Sequence, residues 1–167
     1  MTTEIIKPVE FPSVETADTY VPSREQIERL QSAMTEMPQA ELQTEHYFSA
    51  TGMYCRKLSR KAGTLIVGKV HKADHFFICA KGEIIAWTEN GMKHLYAGDV
   101  IESKPGTKRV TLAVTDAIGI TVHKTDKTDL DEIEAELIEP DEKALFDSQN
   151  VLKMMQDSLE APKENQS

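Results

Sequence analysis

From Met53 to His123 the chain repeats one unit, a run of four to seven residues with apolar side chains at alternate positions and then a turn built on Gly, Pro, Asn or Asp. Runs this short do not make helices of ordinary length, whereas alternation sets residues i and i+2 on one face of a strand. The pattern predicts eight strands, over 54–59, 64–70, 75–80, 83–87, 93–96, 100–103, 109–114 and 118–123. Turns are expected at Ala62-Gly63, Lys81-Gly82, Asn90-Gly91, Gly98-Asp99, Pro105-Gly106 and Thr115-Asp116. Eight closely spaced strands punctuated in this way predict a mainly β domain, folded as a sandwich or jelly roll.

The flanks obey other rules. Residues 1–22 mix Pro8, Pro12 and Pro22 with polar residues and read as a flexible arm, with Ile5, Ile6, Phe11, Val14 and Val21 as anchors for a partner subunit. A helical lead-in occupies 23–46: Ser23-x-x-Gln26 is a capping box, and Ile27, Leu30, Met34 and Met37 recur at helical spacing until Pro38. The β domain is assigned to 47–123. Residues 124–167 form an acidic segment in which Thr128 caps a helix through Leu130, Ile133 and Leu137. A second helix follows through Val151, Leu152, Met155 and Leu159, and then a disordered tail.

At 167 residues the chain suits one folded domain with appendages. Its formal charge of −9 is uneven: residues 47–123 carry 11 Lys and Arg against 6 Asp and Glu, and the remainder 8 against 22, out of totals of 19 and 28. Acidic flanks repel a phosphate backbone, and no nucleic-acid-binding signature offsets them, so nucleic acid is not an expected partner. Apolar runs such as TLIVG are too short for a bilayer, and the acidic start MTTEIIKPVE lacks the basic, apolar order of a signal peptide, so no membrane association or secretion is expected. Cys55 and Cys79 fall in strands without metal-type spacing and read as reduced core thiols.

Two glycine-framed blocks give the strands a family likeness. They are Gly63-x5-Lys69-x-His71-x3-His75-x6-Gly82 and Gly98-x5-Lys104-Pro105-Gly106-x2-Arg109-x3-Ala113. Over residues 47–123 the spacing resembles the two motifs of the cupin family, which implies an RmlC-like jelly-roll β-barrel. Where the family pattern places its metal ligands, this chain carries Lys69, His71, His75 and Arg109.

Protonated lysine and arginine offer a metal no lone pair and repel a divalent ion, so His71 and His75 alone make an incomplete site. The expected cofactor is therefore none, and the alternative is one divalent transition metal. His94 and His123 complete that metal site only if the fold brings them near. If strand parity holds, Lys69, His71, His75 and Arg109 line the barrel mouth, where buried cations need neutralising by Asp74, Glu83 or Glu102, by water, or by a small anionic ligand gripped by the Arg109 fork. Otherwise Lys69 and Arg109 reach out to solvent.

The stretches GTLIVGKVHKADHFFICAKGEIIAWTENG and ESKPGTKRVTLAVTDAIGITVH also resemble small cupin-like proteins of tailed bacteriophages. That resemblance implies a protein of the host cytoplasm or the virion, acting as a non-catalytic binding or structural module, a virion component or a host-interacting factor. The alternative is a metal-dependent cupin enzyme, an oxygenase or a sugar-nucleotide epimerase-like protein. An epimerase needs an acid-base pair, for which only His75 with Asp74 or Asp99 can be nominated. Apolar residues on both faces of the 64–70 strand, among them Ile66 and Val70, predict a homo-oligomer, most simply a dimer.

Overall fold

The computed structural model describes residues 17–149. Most of the predicted arm, the helix through Val151–Leu159 and the tail lie outside the described residues. After a single 3₁₀ turn, Ala17–Thr19, comes helix α1, Arg24–Met34. The capping box forms as its sequence requires: Gln26 N donates to Ser23 Oγ and Ser23 N donates to Gln26 Oε1. Nine strands follow: β1 Gln43–Ser49, β2 Met53–Arg60, β3 Leu65–Val67, β4 His75–Lys81, β5 Glu83–Thr88, β6 Gly91–Tyr96, β7 Val100–Ser103, β8 Val110–Ala113 and β9 Ala117–Lys124. Helix α2, Leu130–Leu137, is the last helix among the described residues, which continue to 149.

The strands form two antiparallel sheets, one ordered β1-β2-β9-β4-β7 and the other β3-β8-β5-β6. Setting aside β1, these are the two interleaved four-strand sheets of a jelly roll, in which every strand but β6 pairs with one distant in sequence. The core between them gathers Cys79, Ile84, Ala86, Leu95, Ile101, Ala113 and Ala117, with Phe77 packed against it. Gly82 makes the β4–β5 turn with φ +75°, and a Cβ there would lie 2.3 Å from the Asp116 carbonyl oxygen, so only glycine fits.

Three details depart from the sequence expectation. Gln43–Ser49 reads QTEHYFS, too polar to signal a strand, yet it pairs along its whole length with β2 as an edge strand that needs only one apolar neighbour. The predicted 64–70 strand stops at Val67, where Gly68 N donates to the Arg109 carbonyl and the chain leaves the sheet. Helix α2 is capped by Asp129 rather than Thr128: its Oδ1 accepts from Asp131 N and Glu132 N, both at 3.0 Å.

Beyond β3, residues 70–72 run against the chain that leaves α2. Glu139 N donates to the Val70 carbonyl, Lys72 N to the Leu137 carbonyl, and His71 bridges Ile138. Ile133 and Leu137 of α2 cluster with Tyr54, flanked by Leu130 and Ile138. The acidic segment is thus fastened over one end of the sandwich by main-chain pairing and an apolar contact together.

Candidate metal centre

Antiparallel register fixes which side chains share the inner face of the five-stranded sheet. Tyr54, Arg56, Leu58 and Arg60 of β2 stand beside His123, Thr121, Gly119 and Ala117 of β9. Across β9, Phe77 of β4 pairs with Thr121 and Cys79 with Gly119, and His75 pairs with Ser103 of β7. One row therefore runs Phe48, Tyr54, His123, His75, Ser103. Its rings stack across the sheet, with centroids 5.4 Å apart for Phe48 and Tyr54, 5.7 Å for Tyr54 and His123, and 4.8 Å for His123 and His75.

His71 joins this row from the segment after β3, its ring centroid 3.9 Å from that of His75 and 5.0 Å from that of His123. One nitrogen of each of the three rings lies within 4.8 Å of the others. All three residues are buried, with 8%, 9% and 6% of their surface exposed. Burial is the main reason their pKa values fall: His71 is pushed down to about 2, His123 to about 3 and His75 to about 4. His75 and His123 further depress His71, His75 further depresses His123, and the guanidinium of Arg56 lowers all three. At neutral pH the cluster is three uncharged imidazoles, each with a lone pair to give.

The other expected site residues go different ways. Arg109 stays inside: its Nη1 donates to Ser103 Oγ, its Nη2 lies 3.5 Å from Glu89 Oε2, and its charge contributes to the depression of His75. Lys69 does not share the inner face, because the strand that would have carried the alternation has already ended. Its Nζ donates to Glu134 Oε1 of α2 at 2.6 Å and to the Asp147 carbonyl at 3.1 Å. His94 sits on the exposed side of the β5–β6 hairpin and pairs with Glu83. His123 is the residue that spacing within the two glycine-framed blocks does not reveal; its inward parity along the last strand, with Ala117, Gly119 and Thr121, is the signal that marks it.

The donor set fits a divalent transition ion. Imidazole suits zinc, nickel, copper and iron, and three protein ligands leave open positions for water or another molecule. Donors held at about 2.1 Å from one ion lie at most about 4.2 Å apart, so the cluster meets that limit with a shift of well under an ångström per ring. His75 Nδ1 is buried with no hydrogen-bond partner in the protein, as expected of an atom meant for another partner. A cleft of about 210 Å³ lined by Met53, Asp74, His75, Phe76, Glu102, Val122, His123 and Lys124 reaches two of the three rings from outside.

No protein-family model and no curated protein matches this sequence. Among solved structures, the chain is similar to a cupin superfamily protein from Desulfitobacterium hafniense, with 12% identity over 64% of this chain and 95% of that one and a TM-score of 0.47. It is also similar to KdgF from Halomonas sp., at 14% identity over 55% and 86% of the two chains with a TM-score of 0.47. An RmlC-like cupin from Shewanella frigidimarina shows 19% identity over 54% and 86%, with a TM-score of 0.45. Among the described residues, no helix is long and apolar enough to cross a membrane.

Proposed function

We propose that this jelly roll is a metal-binding module in which His71, His75 and His123 hold one divalent transition ion. The observation that carries the reading is the convergence of three buried, neutral imidazoles, one of which the two sequence blocks do not contain. It turns the two-histidine remnant expected from the sequence into a set of three imidazoles, while Lys69 takes no part. When bound, such an ion polarises an oxygen of a coordinated molecule. Arg109 and Ser103 flank His75 on the same inner face and are placed to orient that molecule.

Protein stripped with EDTA and titrated with zinc or nickel chloride is expected to bind about one equivalent and to melt at higher temperature, since binding to the native state alone stabilises it. His71→Ala and His123→Ala are each expected to abolish the shift, and Lys69→Ala to leave it intact. Absence of a shift in the wild type at about tenfold metal excess, or an equal shift in His123→Ala, overturns the assignment.

A second, assembling role is favoured by the outer face of the five-stranded sheet. Tyr47, Cys55, Val122 and Phe76 form a continuous apolar row across β1, β2, β9 and β4, and Ile120, Ile78 and Val100 extend it. Tyr47, Phe76 and Val100 are about half exposed, and the only charges in the second row, Glu45 and Lys57, neutralise each other at 2.6 Å. The first row ends on Glu102 of β7, which Lys104 neutralises at 2.6 Å, and two such apolar rows without net charge suit a second copy of the same chain around a two-fold axis. Light scattering is expected to give about twice 18.7 kDa and Phe76→Glu to halve it; a wild-type mass of 18.7 kDa refutes the dimer. The narrower reading as a virion component or host-interacting factor is supported only by the resemblance to proteins of tailed bacteriophages.

A further inference from the structure

The three histidines are not held alike. His75 opens β4 and His123 lies in β9, and those strands are neighbours in one sheet, so the ladder between them fixes the separation of the two rings. His71 belongs to no strand, because β3 has ended at Val67 and β4 begins only at His75. Its backbone is held from elsewhere. Gly106 N donates to the His71 carbonyl at 2.9 Å, Lys72 N to the Leu137 carbonyl at 2.8 Å, and Glu139 N to the Val70 carbonyl at 2.9 Å. Two of these three bonds lead to residues 137–139, where the chain leaves α2, and His71 itself bridges Ile138.

The same helix reaches the flank of His123. Ile133 and Leu137 cluster with Tyr54, whose ring lies against that of His123 with centroids 5.7 Å apart. Just past His123, the Thr125 hydroxyl donates to the Glu136 carboxylate. Residues 129–139 therefore grip the chain on both sides of the cluster. One ion needs its donors at most about 4.2 Å apart, whereas the three nitrogens lie within 4.8 Å of one another. A sheet ladder resists such a shift, and a single bridge between two segments outside the sheets yields more readily. His71 is thus the ring that moves, and its main-chain partners move with it.

We infer that α2 and residues 137–139 are a clamp that positions His71, and that docking of the clamp and capture of the ion reinforce each other. The inference rests on the metal reading and adds to it the part of the chain that regulates the site. Such coupling is reciprocal: whatever lifts α2 from Tyr54 weakens the hold on the ion, and the bound ion holds α2 down by the same factor. Leu137, Ile138 and Glu139 are positioning residues, which act on the ion only through His71. One main-chain link can be cut selectively. Ile138 is extended, with φ −116° and ψ 135°, the conformation required before a proline, and the Glu139 side chain is exposed. Glu139→Pro therefore removes the N–H that reaches Val70, while Glu139→Ala keeps it.

The full-length protein, stripped with EDTA and then freed of it, is titrated with cobalt(II) chloride, whose visible absorption reports both occupancy and ligand geometry. Glu139→Ala is expected to bind as the wild type does. Glu139→Pro is expected to bind at least about tenfold more weakly and with an altered absorption spectrum, while its circular dichroism matches the wild type. In parallel, amide hydrogen exchange is followed by mass spectrometry without metal and at saturating cobalt. Cobalt is expected to slow exchange in residues 130–139 of the wild type by about fivefold or more, and to leave it unchanged in His71→Ala. This second measurement does not depend on the folding of Glu139→Pro. Wild-type affinity and spectrum in Glu139→Pro, or exchange in 130–139 of the wild type that cobalt leaves unchanged, overturns the clamp while the metal reading stands. An equal loss of affinity in Glu139→Ala assigns the effect to the side chain and also overturns it. Failure of cobalt to bind the wild type overturns the clamp and the metal reading together.

Discussion

In EDTA, the protein is expected to lose most of its stability between pH 6.5 and pH 5.0. An unfolded histidine titrates near 6.5, whereas burial, with help from neighbouring rings and guanidinium groups, holds His71, His123 and His75 to about 2, 3 and 4 in the folded state. Over this interval the unfolded chain takes up protons that the native cluster refuses. The stability is therefore fully present above the unfolded value and disappears as pH falls toward the folded ones. Each histidine costs roughly 1.6 kcal/mol over the interval, and the three about 5 kcal/mol, comparable to the whole stability of a small domain. Urea unfolding at half-unit pH steps should show a slope approaching three protons, reduced by about one in His123→Phe. A slope below one proton in the wild type would mean that the three rings are not buried neutral together.

Asp141→Ala is expected to destabilise the protein by about 3–5 kcal/mol, because it strands a buried ammonium. The Lys108 side chain is 4% exposed and its Nζ donates to Asp141 Oδ2 at 2.8 Å. Burial by itself would raise the Asp141 pKa, but the hydrogen bonds from Lys108 and Gln31 outweigh it and hold the carboxyl below its usual range. Gln31 of α1, also buried, reaches the same carboxylate and the Lys143 carbonyl. One acidic side chain thus joins the lead-in helix, the approach to β8 and the chain beyond α2. Adding Lys108→Met to Asp141→Ala should restore part of the loss. A single-variant cost under about 1 kcal/mol, the scale of a surface pair, would remove the pair from the framework.

Strand existence was legible because alternation and turn residues agree; each of the eight predicted strands has its counterpart in β2 to β9. The edge strand Gln43–Ser49 was not, since a strand with one neighbour needs little apolar pattern. At the site, His71 and His75 could be found from their spacing, but placing Lys69 beside them assumed that alternation continued past Val67. The structure breaks it at Gly68. His123 and Arg60 lie outside the two glycine-framed blocks, and their inward placement depends on the pairing of β2 with β9, a long-range register that no local pattern encodes. For the same reason the inward reach of Arg60 could not be seen: its hydrogen-bond partner, Thr111, belongs to the facing sheet.

The pairing of β2 and β4 with β9 also dictates the sequence of events as the chain is made. His71 and His75 emerge about fifty residues before His123, and although β2 can pair with β1 and β4 with β7, neither meets β9 until residue 124 is free. A growing chain therefore carries two thirds of its histidine cluster without the means to close it. Long-range β pairing is slow, and loop closure precedes its reward. Under the proposed metal reading, a complete three-histidine site would exist only once β9 has left the ribosome and paired; before that the chain offers only His71 and His75.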